Sequence, residues 1–322
     1  QAWVRIANFA ILYVFLALGL NIVVGYAGLL DLGYVGFYAV GAYAYALLAS
    51  PHFGIHLPFW VILPLGAGLA CIFGVLLGAP TLKLRGDYLA IVTLGFGEIV
   101  RIFMNNLNAP VNITNGAQGI TLIDPIRIGD FSFAQTSSFL GVTLSGPQKY
   151  YFLLVALALL VIMVNIRLQD SRIGRAWQAI REDEIAAKAC GINTRNIKLL
   201  AFAMGASFGG IAGGVFSAMQ GFVSPESFSL MESITILAMV VLGGMGHIPG
   251  VILGAILLTG LPEALRYGIE PLQRALFGRM IVDPESLRML VFGLALVLVM
   301  RFRPAGLWPS SQRRRELAES AG

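Results

Sequence analysis

Leu199 to Phe222 holds no Asp, Glu, Lys or Arg. A helix needs ~20 mostly apolar residues to cross a bilayer. Comparable stretches recur at Trp3–Val24, Phe59–Pro80, Tyr88–Met104, Lys149–Ile166, Phe228–Gly246, Gly250–Arg266 and Leu287–Phe302. In lipid, every backbone polar group must be satisfied internally, so a chain with several such runs becomes a bundle of helices. Charged residues make up only 12% of the 322, against roughly 25% in a soluble domain. Mean hydropathy is +0.79. The expectation is an all-α integral membrane protein. It is a polytopic bundle of about nine spans, with residues 1–322 forming a single transmembrane domain.

Gly25 to Ser50 is the unusual segment. Gly25, Gly28, Gly33, Gly36 and Gly41 interrupt it, and Asp31 lies inside it. Non-helical backbone at membrane depth survives only where protein or a water-filled cavity surrounds it. Two readings stand side by side: a broken helix beside a translocation pathway, and a glycine-rich packing helix. Elsewhere glycines recur every fourth residue, at Gly205, Gly209 and Gly213 and at Gly246, Gly250 and Gly254. Such faces let a neighbouring backbone approach closely. Gly74 and Gly78 give a shorter version.

Charge concentrates in one island, Gly174 to Lys198. Ile173, Ala176, Trp177 and Ile180 keep helical spacing on one face. Glu184 and Lys188 stand at i,i+4 in the favourable order, and Gly191 is a natural helix stop. The island is read as a short amphipathic helix outside the membrane. It is either an ordinary basic loop or a docking handle for another protein. Residues 81–87, 167–198 and 301–322 carry 14 of the 22 Lys and Arg residues, which makes these segments cytoplasmic. The island loop 167–198 and a basic tail at 303–322 are thus the cytoplasmic features. The long polar loop Asn105–Gln148 and a mixed-charge loop from Tyr267 to Ser286 lie outside. Counting back puts Gln1 outside if 25–50 crosses, and a helix preceding Gln1 would bring the total to ten. The alternative is a cytoplasmic Gln1 with a re-entrant 25–50.

The +5 net charge needs no nucleic acid, because cytoplasmic loops account for it. Cys71 and Cys190 do not suggest a disulfide framework. None of the four lysines follows a glycine, so the chain has no GxxxxGK[ST] loop for nucleotide phosphates. His52 and His56 sit at i,i+4, yet Pro51, Gly54 and Pro58 oppose a helix and no third metal ligand is evident. His247 falls in a turn and reads as solvated. Glu98 and Arg101, at i,i+3, can pair near a span end, and Glu232 is also near a span end. No cofactor and no catalytic constellation can be argued. The candidates are therefore a transport subunit powered elsewhere, a self-sufficient secondary transporter and, less well supported, a membrane enzyme.

The segments GYAGLLDLGYVGFYAVGAYAYALL, LRGDYLAIVTLGFGEIVRI, AIREDEIAAKACGIN and GFVSPESFSLMESITILAMVVLGGMG together resemble permease subunits of branched-chain amino acid ABC importers. The resemblance covers nearly the whole chain and is to the M-type member of the permease pair. It implies an H-type second permease, two ATP-hydrolysing subunits, a periplasmic binding protein and a place in the bacterial inner membrane. It also implies that Ala179, Ile180, Arg181, Glu182, Asp183, Glu184, Ala186, Ala187 and Gly191 form the helix that docks in the ATPase. Urea and short-amide importers share much of this pattern.

Overall fold

A computed structural model describes residues 2–277 except 82, 85, 130, 140 and 141. It also describes 290, 293, 294, 297–299, 301–303 and 306–309. Ten helices are described: α1 Ala2–Asn21, α2 Tyr34–Leu48, α3 Phe59–Thr81, α4 Asp87–Asn106, α5 Gly146–Gln169, α6 Arg172–Glu182, α7 Glu184–Ala189, α8 Thr194–Gln220, α9 Leu230–Gly243 and α10 Ile248–Phe277. Among the described residues, Ala2–Tyr26, Phe59–Thr81, Gly146–Gln169 and Thr194–Gln220 are long and apolar enough to cross a membrane. Tyr34–Leu48, Leu230–Gly243 and Ile248–Ala264 are shorter apolar helices. The expected span Tyr88–Met104 does form a helix, α4, but Glu98, Arg101 and Asn105 dilute its apolar character. The expected last span, Leu287–Phe302, and the tail 303–322 lie largely outside the described residues.

α8 is the axis of the bundle, and α2 and α3 pack along it. The sequence explains why they approach so closely. A Cβ on Gly41 would lie 2.1 Å from the Gly210 carbonyl oxygen, and one on Gly213 would lie 2.1 Å from that of Tyr38. Gly205 faces Val23, and Gly209 faces Tyr34 and Phe37. In the α9–α10 hairpin, Gly254 meets the Met239 carbonyl and Gly250 that of Gly243. Helices meet backbone to backbone here, which supplies dispersion contact where lipid removes the hydrophobic drive. Beside this seam Phe228 meets Tyr38 and Phe216 edge to face, and Tyr38 and Phe216 are tilted to each other, at 5.1–6.2 Å between ring centroids.

The chain turns at two opposite faces. At one, β1 (Ala49–Ser50) pairs with β2 (Ile55–His56), and Asp124 N–H donates to the Ala49 carbonyl at 2.7 Å. Ile120–Thr121 pairs with Phe222–Val223 on the same side. The polar loop after α4 is thus not structureless. It carries four-residue and six-residue β-pairs at 127–132 and 137–144, and Lys149 Nζ clamps it by donating to the Ser132 and Gln135 carbonyls at 3.0 and 2.7 Å. At the other face lie the island, Lys83 and the α9–α10 turn.

Two expectations are corrected here. The glycine-rich segment breaks only at 27–33, and α2 runs uninterrupted through Gly36 and Gly41. Those two glycines face Phe96 and Gly210, so they serve packing. Gly28, at φ +69°, is where the backbone takes a turn that a Cβ disfavours. The segment runs from the island face to the β1–β2 face. The mixed-charge loop does not open at Tyr267, because α10 stays helical to Phe277. Trp3 stacks on Tyr267 at 5.4 Å, tying that extension to the start of α1.

Candidate coupling site at the island face

The island folds as two helices, not one. Ser171 caps α6 by accepting from Gly174 N–H at 3.1 Å. Asp183, in extended backbone at φ −152°, ends α6 and begins α7. Its carboxylate accepts from the N–H groups of Ile185 and Ala186 at 2.7 and 3.0 Å. A side-chain acceptor for two orphan helix N–H groups makes this a true restart. Gly191, at φ +85°, follows the end of α7.

α6 is fastened to the membrane helices. Trp177 is fully buried, stacks on Tyr26 at 6.5 Å and 11°, and donates from Nε1 to the Ile197 carbonyl at 2.7 Å. Arg181 donates from Nη1 to the Gly25 carbonyl at 2.6 Å. Gly25 belongs to a π-helical turn, Ile22–Tyr26, that ends α1. π turns are rare and occur often at functional sites. Asn21, one residue earlier, accepts from Gly246 N–H at 2.8 Å, which holds the α9–α10 turn against the same spot.

The nine residues expected to dock separate into two sets. Glu182, Asp183, Ala186 and Gly191 are exposed, and Ala179 is half-buried. Ile180 and Ala187 face inward and are buried. Arg181 reaches toward the membrane, and Glu184 meets Lys198 Nζ at 2.7 Å. Ile185 was not among the nine, yet it is 71% exposed at the tip. Its signal in the sequence is an aliphatic residue off the Trp177–Ile180 face in a charged run.

In the break, Asp31 is fully buried, and its Oδ1 accepts from Gly33 N–H at 2.8 Å. Leu32 N–H donates to Thr93 Oγ1 at 2.9 Å, and a Cβ on Gly33 would strike the Thr93 carbonyl. Asp31 therefore closes an Asx turn onto Gly33, the residue just before α2. Glu98 accepts from Arg101 Nε at 3.0 Å, and Arg101 also meets Glu226 at 3.4 Å. Glu232 accepts from the Tyr13 hydroxyl in the first turn of α9. His52 and His56 turn to different partners, the Asn112 carbonyl and Asp124. His247 is not simply solvated: its Nδ1 lies 2.8 Å from the Trp308 carbonyl oxygen.

Four long apolar helices and several shorter ones among the described residues fit a multi-pass helical membrane permease. The chain belongs to the family of permease components of branched-chain amino acid transport systems, whose profile matches residues 2–300. It is 46% identical to the high-affinity branched-chain amino acid transport system permease protein LivM of Escherichia coli K12, over 99% of this chain and 72% of that one. A probable LivM of Methanocaldococcus jannaschii is 28% identical over 92% of this chain and 90% of its own. LivH of Escherichia coli K12 is 26% identical over 79% of this chain and 81% of its own. The higher identity to LivM makes this an M-type permease, as the motifs implied. No solved structure matches the chain.

Proposed function

We propose that the chain is the passive M-type subunit of an ATP-driven importer of branched-chain amino acids in a bacterial inner membrane. An H-type permease completes the passage, two ATPase subunits supply the work, and a periplasmic binding protein delivers leucine, isoleucine or valine. The α6–α7 pair is the docking element for an ATPase subunit. The observation that carries this reading is the contrast within α6–α7. One side is bolted to the bundle through Trp177, and the other presents Ile185 to solvent among Glu182, Asp183 and Lys188. An isolated aliphatic tip on a rigid mount suits an apolar socket with a polar rim. The broken segment 25–33, with Gly25, Gly28, Asp31 and Gly33, is the part of the passage wall that changes shape. Gly36 and Gly41 hold α2 in place beside it.

Ile185→Asp tests the docking. Burying an unpaired carboxylate in an apolar socket costs several kcal/mol. Affinity purification of the complex from membranes should recover at least tenfold less ATPase subunit with the variant, and uptake should fall in step. The permease itself should remain in the membrane at its usual level, since Ile185 touches no core. Undiminished ATPase recovery and uptake would remove the docking role of α7.

A further inference from the structure

The docking role does not explain the placement of one charged group on α6. Arg181 stands on the docking element, yet its guanidinium points away from the exposed tip and into the membrane break. It donates to Gly25 in the last turn before the break, where helical carbonyls run out of N–H partners. Glycines shape the slot it occupies. A Cβ on Gly28 would fall 2.8 Å from Arg181 Cγ, and one on Gly246 would fall 3.1 Å from Nη1. Both glycines have positive φ, +69° and +81°, so two separate turns adopt backbone that favours glycine and thereby make room for one side chain.

The slot joins three elements. Gly25 and Gly28 belong to the end of α1 and the break, Gly246 to the α9–α10 turn, and Arg181 to α6. Gly246 N–H is itself bonded to Asn21. At the far end of the break Leu32 N–H donates to Thr93 Oγ1 of α4, and in the first turn of α2 Val35 N–H donates to Ser233 Oγ of α9, at 2.9 and 3.1 Å. The break thus lies between the turn that Arg181 holds and the start of α2, which packs on α8 and is bonded to α4 and α9. A π turn followed by a left-handed glycine is a pair of positions able to absorb a change of φ and ψ between them.

We infer that Arg181 is the positioning residue through which displacement of the docking element reaches the broken helix. It rests on the reading of α6–α7 as a docking element. Trp177 anchors α6 laterally, on Tyr26 and on α8. Arg181 adds the link to the Gly25 carbonyl, so that a pull on α6 moves the end of α1 and the α9–α10 turn together. A guanidinium suits the task because it is always charged, planar and rigid in its donor geometry, whereas a lysine offers a flexible point charge.

The test uses the whole importer, reconstituted in liposomes with its ATPase subunits, second permease and loaded binding protein. Arg181→Met keeps the aliphatic stem and removes the donor. The expected result is a complex that assembles with normal stoichiometry and hydrolyses ATP, while amino acid taken up per ATP falls at least tenfold. Arg181→Lys should recover part of that ratio. A normal ratio in Arg181→Met overturns the positioning role, as does a loss of uptake that merely tracks loss of assembled complex. These outcomes are distinct from failure of the docking reading. That failure would appear as unaltered ATPase recovery with Ile185→Asp, whatever Arg181→Met does.

Discussion

Gly41→Val should remove most of the folded protein from the membrane. The Cβ it introduces would sit 2.1 Å from the Gly210 carbonyl oxygen and 2.4 Å from the Gly210 Cα. Both obstacles are backbone, so no side chain can swing aside. The helices α2 and α8 must separate along the seam that forms the middle of the bundle. Overpacking of a tight core costs roughly 1–3 kcal/mol and sometimes more. The upper end applies, because the clash is with a main chain on the central axis. Gly213→Val, 2.1 Å from the Tyr38 carbonyl, should behave alike. The two lie on one seam, so their effects will not simply add. Gly68→Val on α3 is the control, since a Cβ there meets nothing within 4 Å. Size-exclusion profiles and melting curves of detergent-solubilised protein should separate Gly41→Val from both wild type and Gly68→Val. Identical melting of all three would contradict the close seam.

The second large effect is expected at Glu184→Arg. Lys198 has a side chain only 6% exposed, and Glu184, 26% exposed, meets it at 2.7 Å. Removing one partner of a fully buried pair costs about 3–5 kcal/mol, because the other charge stays uncompensated. Water reaches the glutamate side of this pair, so roughly 2–3 kcal/mol is the appropriate scale. Adding a second cation makes matters worse, and α7 should detach from the start of α8. Hydrogen exchange of the Ile185–Cys190 amides should rise at least tenfold, with uptake reduced. The double exchange Glu184→Arg with Lys198→Glu restores the opposite charges and should recover much of the protection. If the single variant exchanged no faster than wild type, the pair would have no part in holding α7. A bulky residue at Ala187 acts on the same packing rather than on docking, because Ala187 is 4% exposed.

The pair also illustrates what pattern could and could not convey. Glu184 and Lys188 stand one helical turn apart, and that spacing is visible in the chain. The described partner of Glu184 is Lys198, which lies across the gap between α7 and α8. Only folding of the loop 190–193 brings it there. Glycine was similarly ambiguous. In Gly25–Ser50 the same residue type marks a break at Gly28 and close packing at Gly36 and Gly41. A missing Cβ permits both, and what stands opposite decides between them. Charge begins near Glu263 and Arg266, so hydropathy alone ends α10 there. The helix nonetheless continues to Phe277, through Gly268 and Pro271, the weakest helix formers in the stretch. His247 had no signal at all, since Trp308 lies in a segment remote in the chain.

The order of residues alone determined the solvent this protein folds in. Apolar runs as long as a bilayer is thick, with cations gathered in a few connecting segments, leave helices crossing in lipid as the workable arrangement. It also marked the charged island and the glycine faces, because both are local in composition. Tertiary structure alone decided that Arg181 meets Gly25, 156 positions away, and that Ile185 rather than Ala187 forms the tip. Those facts depend on which helix faces lie opposite each other. Side-chain direction follows from local geometry, but the neighbour it finds is set by the packing of the whole bundle.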